Sequence, residues 1–381
     1  MKLKACDIQE FILHTQGKEV VCWGAGGWLS FLSEKYDYEI EKSFSYVVDS
    51  NLALHGTIKN INGQKLTIKS PQYLFENLTQ NTVVLITMRD WEIVYEMLEN
   101  NELFMNTECY LAVMIHVYQL DTLTYSPFVP KGYRMENEPQ IPKIIHYIWF
   151  GGKSIPDKFK VYMESWSRFC PDYEIKEWNE SNYDVEAHPF MRETMRQGRP
   201  GFTADYARFD IIYRYGGIYL DVDVELLRNL DELLYNRGFC SFHFHDSVNL
   251  GHGFGAAKGH SIIKKLRDSY DNISFDERDE YGIPIVSPIY QTETLVKCGL
   301  ILNGQFQTIE NMAIYPAVYF DAISRRTDRS FITENTFAIH HYAGSWLTEA
   351  ENTLLTGIRT KTSRANILEH KTKIQNGGKN L

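Results

Sequence analysis

No stretch of the 381-residue chain is apolar for long enough to span a bilayer, and Asp7 and Glu10 stand where a secretion signal would be apolar. A cytoplasmic globular protein is expected. Basic charge is also short, with 39 Lys and Arg against 49 Asp and Glu. The resulting net charge of −10 argues against broad nucleic-acid binding. Cys6, Cys22, Cys109, Cys170, Cys240 and Cys298 show no Cys-x-x-Cys spacing, which argues for reduced thiols and against a zinc knuckle. Proline is sparse except where Pro127, Pro130 and Pro139, with Gly132, interrupt polar sequence. That interruption marks a boundary between two domains, 1–125 and 141–350, with a linker over 126–140 and a basic tail over 351–381.

The most informative stretch is YGGIYLDVDVE, Tyr215 to Glu225. Read as one strand after a Gly-Gly turn, it places Tyr219, Asp221, Asp223 and Glu225 on one face, with Ile218, Leu220, Val222 and Val224 on the other. Carboxylates crowded in this way repel one another unless a cation sits among them, and Mg²⁺ or Mn²⁺ is the usual hard partner. A solvated acidic edge strand is the plain alternative. Upstream, PGFTADYARFDIIYRYGG reads as a helix opened by Thr203 and ended by Gly216 and Gly217, with Asp205, Arg208, Phe209 and Ile212 on one side.

These blocks resemble the sugar transferases that carry a DXD motif, glycosyltransferase family 32. Its members include initiating mannosyltransferases, capsule and lipopolysaccharide transferases and, more distantly, glucosylating toxins. The resemblance covers Ile141 to Leu347 through four blocks in order: IPKIIHYIWFGG, PDYEIKEWNE, ADYARFDIIYRYGGIYLDVDVE and IHHYAGSW. It implies an α/β protein whose C-terminal part has the GT-A nucleotide-diphospho-sugar transferase fold. It also implies that Trp149 stacks on the nucleobase, that Asp205 and Arg208 hold the ribose and diphosphate, and that Ser345 and Trp346 close over the diphosphate. Asp223 is the implied metal ligand, with Asp221 reaching the donor sugar or metal water. In the closing block His341 stands where some relatives carry an acidic metal ligand, with His340 as the alternative, since strand alternation sends the two to opposite faces.

The activity implied is a retaining, metal-dependent transfer of a hexose or N-acetylhexosamine from a nucleotide-diphosphate sugar, a UDP-sugar by preference, to a surface polysaccharide, oligosaccharide or lipid-linked glycan. Mn²⁺ or Mg²⁺ is the cofactor. Asp221, Asp223 and Arg208 carry the chemistry, by stabilising charge on the departing diphosphate. Two other classes use the same residues: a metal-dependent nucleotide-sugar hydrolase or phosphodiesterase, and a nucleotide-sugar binding protein without turnover. Two neighbouring aspartates suit a shared metal better than the opposed carboxylates of a glycosidase. In the segment IVSPIYQTE, Val286 and Ser287 precede Pro288 where relatives write Thr-Gly-Pro. GHGFGAAKGH lacks the Walker lysine-serine ending and reads as a loop beside the donor sugar.

The first third reads as a small Rossmann-like α/β domain. Strand Glu19 to Trp23 leads through Gly24, Gly26 and Gly27 into a helix from Trp28, and a second strand ends in Asp49, spaced for a ribose hydroxyl. Leu29 stands where a third glycine would allow close dinucleotide packing. A nucleotide site at Gly24, Gly26, Gly27 and Asp49 and a structural role are both open. The tail beyond Glu351, with Arg359, Lys361, Arg364, Lys371, Lys373 and Lys379, offers peripheral contact with an anionic membrane at the inner face, or a solvated end.

Overall fold

The computed structural model describes residues 1–126, 132–278, 287–344, 348–351 and 353. The chain divides into two compact units, the first Met1–Thr122 and the second beginning at Leu123.

The first unit runs β1 (Lys2–Lys4), α1 (Ile8–Thr15), β2 (Glu19–Trp23), α2 (Gly27–Lys35), β3 (Phe44–Val48), β4 (Ile58–Ile61), β5 (Gln64–Lys69), α3 (Pro71–Asn77), β6 (Thr82–Ile86), α4 (Trp91–Glu99), β7 (Glu108–Leu111) and α5 (Ala112–Tyr125). Among the described residues its sheet has the order β1-β7-β6-β2-β3-β5-β4, parallel except at the β4–β5 hairpin. Strand β2 alternates strictly. Val21 and Trp23 enter one apolar cluster with Val84 and Ile86, while Val20 and Cys22 enter another with Val83 and Leu85. A strand apolar on both faces needs cover on both, which parallel β-α-β connections supply.

The second unit runs β8 (Ile144–Ile148), α6 (Asp157–Phe169), β9 (Glu174–Trp178), α7 (Pro189–Arg196), α8 (Pro200–Tyr215), β10 (Gly217–Tyr219), β11 (Val224–Leu226), β12 (Gly238–Phe244), β13 (Ser247–Val248), β14 (Phe254–Ala256), α9 (Ser261–Asp268), α10 (Ser287–Lys297), β15 (Gln307–Ile309), β16 (Met312–Tyr315) and β17 (Ala338–His340). The main sheet has the order β15-β16-β12-β14-β10-β8-β9, with β13 paired to β12. Strands β8, β9 and β10 are parallel, and β14 runs against both its neighbours. This mixed sheet between helices is the GT-A-like α/β arrangement that the resemblance implied. Ile145 and Ile218 pack on one face, Ile148 and Tyr219 on the other.

A separate two-stranded ribbon, β11 with β17, pairs Val224 with His340. Among the described residues no helix is long and apolar enough to cross a membrane.

Candidate functional site

Helix α8 ends because Gly216 adopts φ 70°, and Gly217 follows at φ 106°. A β-carbon on Gly217 would lie 2.8 Å from both His146 Nε2 and the Ile144 carbonyl, so the chain reaches β8 this closely only as glycine. Strand β10 then starts beside the sheet's centre and stops at Tyr219. Here the structure corrects the single strand expected over Ile218 to Glu225. Asp221, Val222 and Asp223 form a turn, with the Val224 N–H donating to the Asp221 carbonyl at 3.0 Å, and β11 leaves for the ribbon. The carboxylates converge by turning, not by strand alternation.

Asp221, Asp223 and His340 each present a ligating atom within 4.8 Å of the others. His340 Nε2 lies 3.1 Å from Asp223 Oδ1, and the Ala343 N–H donates to Asp223 Oδ2 at 2.8 Å. Burial pushes the Asp223 carboxyl up, but the His340 imidazolium and the Ala343 amide overcome this and hold it at about 2. Burial pulls His340 down, and Asp223 more than reverses it, so its pKa is raised. The expected ligand His341 is instead paired with Glu225 at 2.9 Å and stacked on Tyr162, with ring centroids 3.8 Å apart. The register of β17 on β11 sends His340, not the expected His341, toward the aspartates.

Asp221 is held from two sides. The Tyr219 hydroxyl donates to Asp221 Oδ1 at 2.7 Å, and Arg208 Nη1 lies 3.8 Å from the same oxygen. Arg208 Nη2 also donates to Asp205 Oδ1 at 2.6 Å, and both side chains are nearly buried. Burial pushes Asp205 up to about 6 against the pull of Arg208, while the surrounding acids outweigh burial and hold Arg208 above its ordinary value. From the sequence the pair shares one side of the helix, and the resemblance assigns it to the ribose and diphosphate. Its burial beside Asp221 makes it part of one network.

Three members of this network were not legible as such from the sequence. Gly251 packs so closely that a β-carbon would lie 2.4 Å from Asp221 Oδ2 and 3.2 Å from Arg208 Nη1. Gln291 accepts the Leu250 N–H at 2.9 Å and donates to Ser287 at 3.1 Å, tying α10 to the loop that carries Gly251. Tyr219 is read from sequence only as a member of the strand face. The segment Gly251 to His260 was expected as a loop, but Phe254–Ala256 form β14 within it, and no local pattern marks which glycine approaches the carboxylate.

Trp149 follows β8, half-buried, its indole N–H donating to the Lys153 carbonyl at 2.6 Å and its ring 6.1 Å from Phe159. Ser345 and Trp346, Val286 and the basic tail residues from Arg359 onward lie outside the described residues. In the first unit, Gly24 ends β2 and Gly26 caps α2, which begins at Gly27. Asp49 does not point away from the protein: Oδ2 accepts the Ala25 N–H and Oδ1 the Asn51 N–H, both at 2.8 Å.

Two carboxylates and one imidazole form a mixed oxygen and nitrogen donor set that suits a divalent ion such as Mn²⁺. Among the described residues the buried Nδ1 of His340 has no partner, which leaves Nε2 as the nitrogen aimed at the acids. The donor set therefore fits the metal that the resemblance implied.

The family model described as glycosyltransferase sugar-binding region containing DXD motif matches residues 156–239, from α6 to the start of β12 and through Asp205, Arg208, Asp221 and Asp223. Inositol phosphoceramide mannosyltransferase 3 of Schizosaccharomyces pombe is 30% identical over 167 residues, covering 41% of this chain and 43% of that protein. A mannosyl phosphorylinositol ceramide synthase of Saccharomyces cerevisiae is 34% identical over 113 residues, covering 28% of this chain and 30% of that protein. The chain thus spans less than half the length of the curated relatives it matches. The solved PaToxG glycosyltransferase is similar at a TM-score of 0.34 and 19% identity, over 42% of this chain and 70% of that one.

Proposed function

We propose that the second unit is a metal-dependent glycosyltransferase. It moves a hexosyl group from a nucleotide-diphosphate sugar to a hydroxyl of a glycan or glycolipid. The observation that carries this reading is the convergence of Asp221, Asp223 and His340 on one point, with Arg208 directly behind them. Asp223 and His340 are the ligands that would hold the ion, and Asp221 completes the set. When bound, the metal supplies positive charge to the departing diphosphate. Arg208, kept ionised by its acidic neighbours, adds a guanidinium suited to phosphate oxygens, and Asp205 holds that guanidinium in place.

Trp149 is proposed to stack on the nucleobase and Ser345 and Trp346 to close over the diphosphate. Retention of configuration is carried over from the family resemblance. The two relatives are named for mannosyl transfer and for inositol phosphoceramide, so a mannosyl donor joins the UDP-sugars as a candidate. A glycolipid acceptor then stands ahead of the capsular and lipopolysaccharide acceptors, which those names do not support. The first unit is proposed to be a Rossmann-like module whose part in the reaction is structural or nucleotide-binding.

Calorimetric titration of UDP and GDP, with and without Mn²⁺, tests this reading. Manganese-dependent binding abolished by Asp223→Ala is expected. Binding indifferent to both manganese and Asp223 would refute it.

A further inference from the structure

A second histidine borders the metal cluster without belonging to it. His243 sits near the end of β12, with its side chain 14% exposed, beside Asp321 at 2%. Its Nδ1 lies 2.8 Å from Asp321 Oδ2 and 2.8 Å from the Tyr342 hydroxyl, and that hydroxyl also bonds the same carboxylate oxygen. Burial pushes Asp321 up, but the hydrogen bonds it accepts from His243 and Tyr342 help bring it below its ordinary range, so it is an ionised group that can only accept. Nδ1 therefore carries a proton and donates it to Asp321. In the neutral ring the other nitrogen, Nε2, is then the acceptor.

That lone pair is available. Among the described residues Nε2 makes no hydrogen bond, and the side chain keeps 14% of its surface exposed. A histidine whose one nitrogen is locked by a buried acid and whose other is open has the form of an oriented hydrogen-bond acceptor or base.

Tyr342 and His252 link it to the metal cluster. The Tyr342 ring lies 4.0 Å from the ring of His340 and 5.6 Å from that of His243. His252 lies 6.0 Å from His243 and 6.1 Å from His340. Arg325 sits over Tyr342 at 4.5 Å and Arg326 over Phe244 at 3.5 Å. Tyr342 takes a left-handed backbone, φ 46°, uncommon for a bulky residue and consistent with a ring held by its partners.

A neutral nitrogen lone pair repels phosphate oxygen and suits the hydrogen of a hydroxyl. The donor's anionic part has its own cation in Arg208. We propose that His243 Nε2 accepts a hydrogen bond from the hydroxyl that receives the sugar, with Asp321 and Tyr342 as positioning residues, so that the acceptor subsite lies against His243 beside His340. This inference rests on the transferase reading above.

The test separates donor binding from attack by a hydroxyl, using water as the simplest acceptor. UDP and GDP binding with Mn²⁺ is measured by calorimetry, and sugar release from UDP-glucose and GDP-mannose is measured in parallel. In His243→Ala, nucleotide binding should stay within about twofold while release falls about ten- to hundredfold. His243→Gln, which keeps an acceptor atom, should recover part of the loss. Long-range ¹H–¹⁵N spectra should show the Nδ1–H tautomer of His243 in the native protein and lose it in Asp321→Asn. Equal release from native protein and His243→Ala, zero included, would overturn the proposal, as would an Nε2–H tautomer or loss of nucleotide binding in His243→Ala. Absence of manganese-dependent nucleotide binding by the native protein would overturn the transferase reading instead.

Discussion

Each of the two units puts acid at a strand's C-terminal end, and they treat that acid differently. In the first unit both oxygens of Asp49 accept backbone amides, from Ala25 and Asn51, so the carboxylate holds the glycine turn against the end of β3. In the second, Asp221 and Asp223 face each other and an imidazole. A carboxylate occupied by backbone amides works as a local clamp. Carboxylates gathered on side-chain donors and an imidazole form a set that can be handed to a cation.

The widest separation should come from removing one acid of each kind. Asp223→Ala is expected to lower turnover about 10²- to 10³-fold with the fold retained, whereas Asp49→Ala should leave turnover within about twofold. Steady-state rates and circular dichroism on both variants would check this, and equal losses would erase the contrast. Next in size is Gly251→Ala. Its new β-carbon must displace the Asp221 carboxylate, so a loss of roughly tenfold to 10²-fold in turnover is expected, with little change in melting temperature.

The metal set can be sharpened by separating the adjacent histidines. His340→Ala should weaken Mn²⁺ binding by at least about tenfold, read by the free Mn²⁺ electron paramagnetic resonance signal, and His341→Ala should not. The reverse order would return the ligand role to His341.

The smallest effect is in pH. Asp205 has a folded pKa raised from 3.8 to about 6. Between those values the folded state holds a proton that the unfolded chain has released, so this group's contribution to stability falls as pH rises from about 4 to about 6 and is level above. Urea midpoints at about pH 4.5 and about pH 7 should differ less in Asp205→Asn than in the native protein. An unchanged slope would mean that Arg208 keeps Asp205 ionised throughout.

What the sequence could reveal follows the range of the interactions. Strand β2 declares itself through apolar spacing, since period and neighbours are local. Helix α8 was legible too, though Pro200, not Thr203, opens it. The aspartate pair was legible as a pair, but its geometry was not. Alternation predicts one strand, and only the departure of β11 to pair with β17 explains the turn at Val222. The choice between His340 and His341 depends on that same register, set across more than a hundred residues. Gly251 and Gln291 act through close approach of distant segments, which leaves no periodic trace.

The grip of the closing block on Asp223 has a consequence in time. The His341 N–H donates to the Asp223 carbonyl, and the Ala343 N–H reaches its carboxylate across 120 residues. A chain emerging from the ribosome adds roughly 5–20 residues per second, so several seconds at least separate the synthesis of the aspartates from that of their clasp. During that interval the nascent protein carries its acidic turn without its histidine. The growing polypeptide should therefore be unable to capture metal at full strength until the end of the second unit has been made.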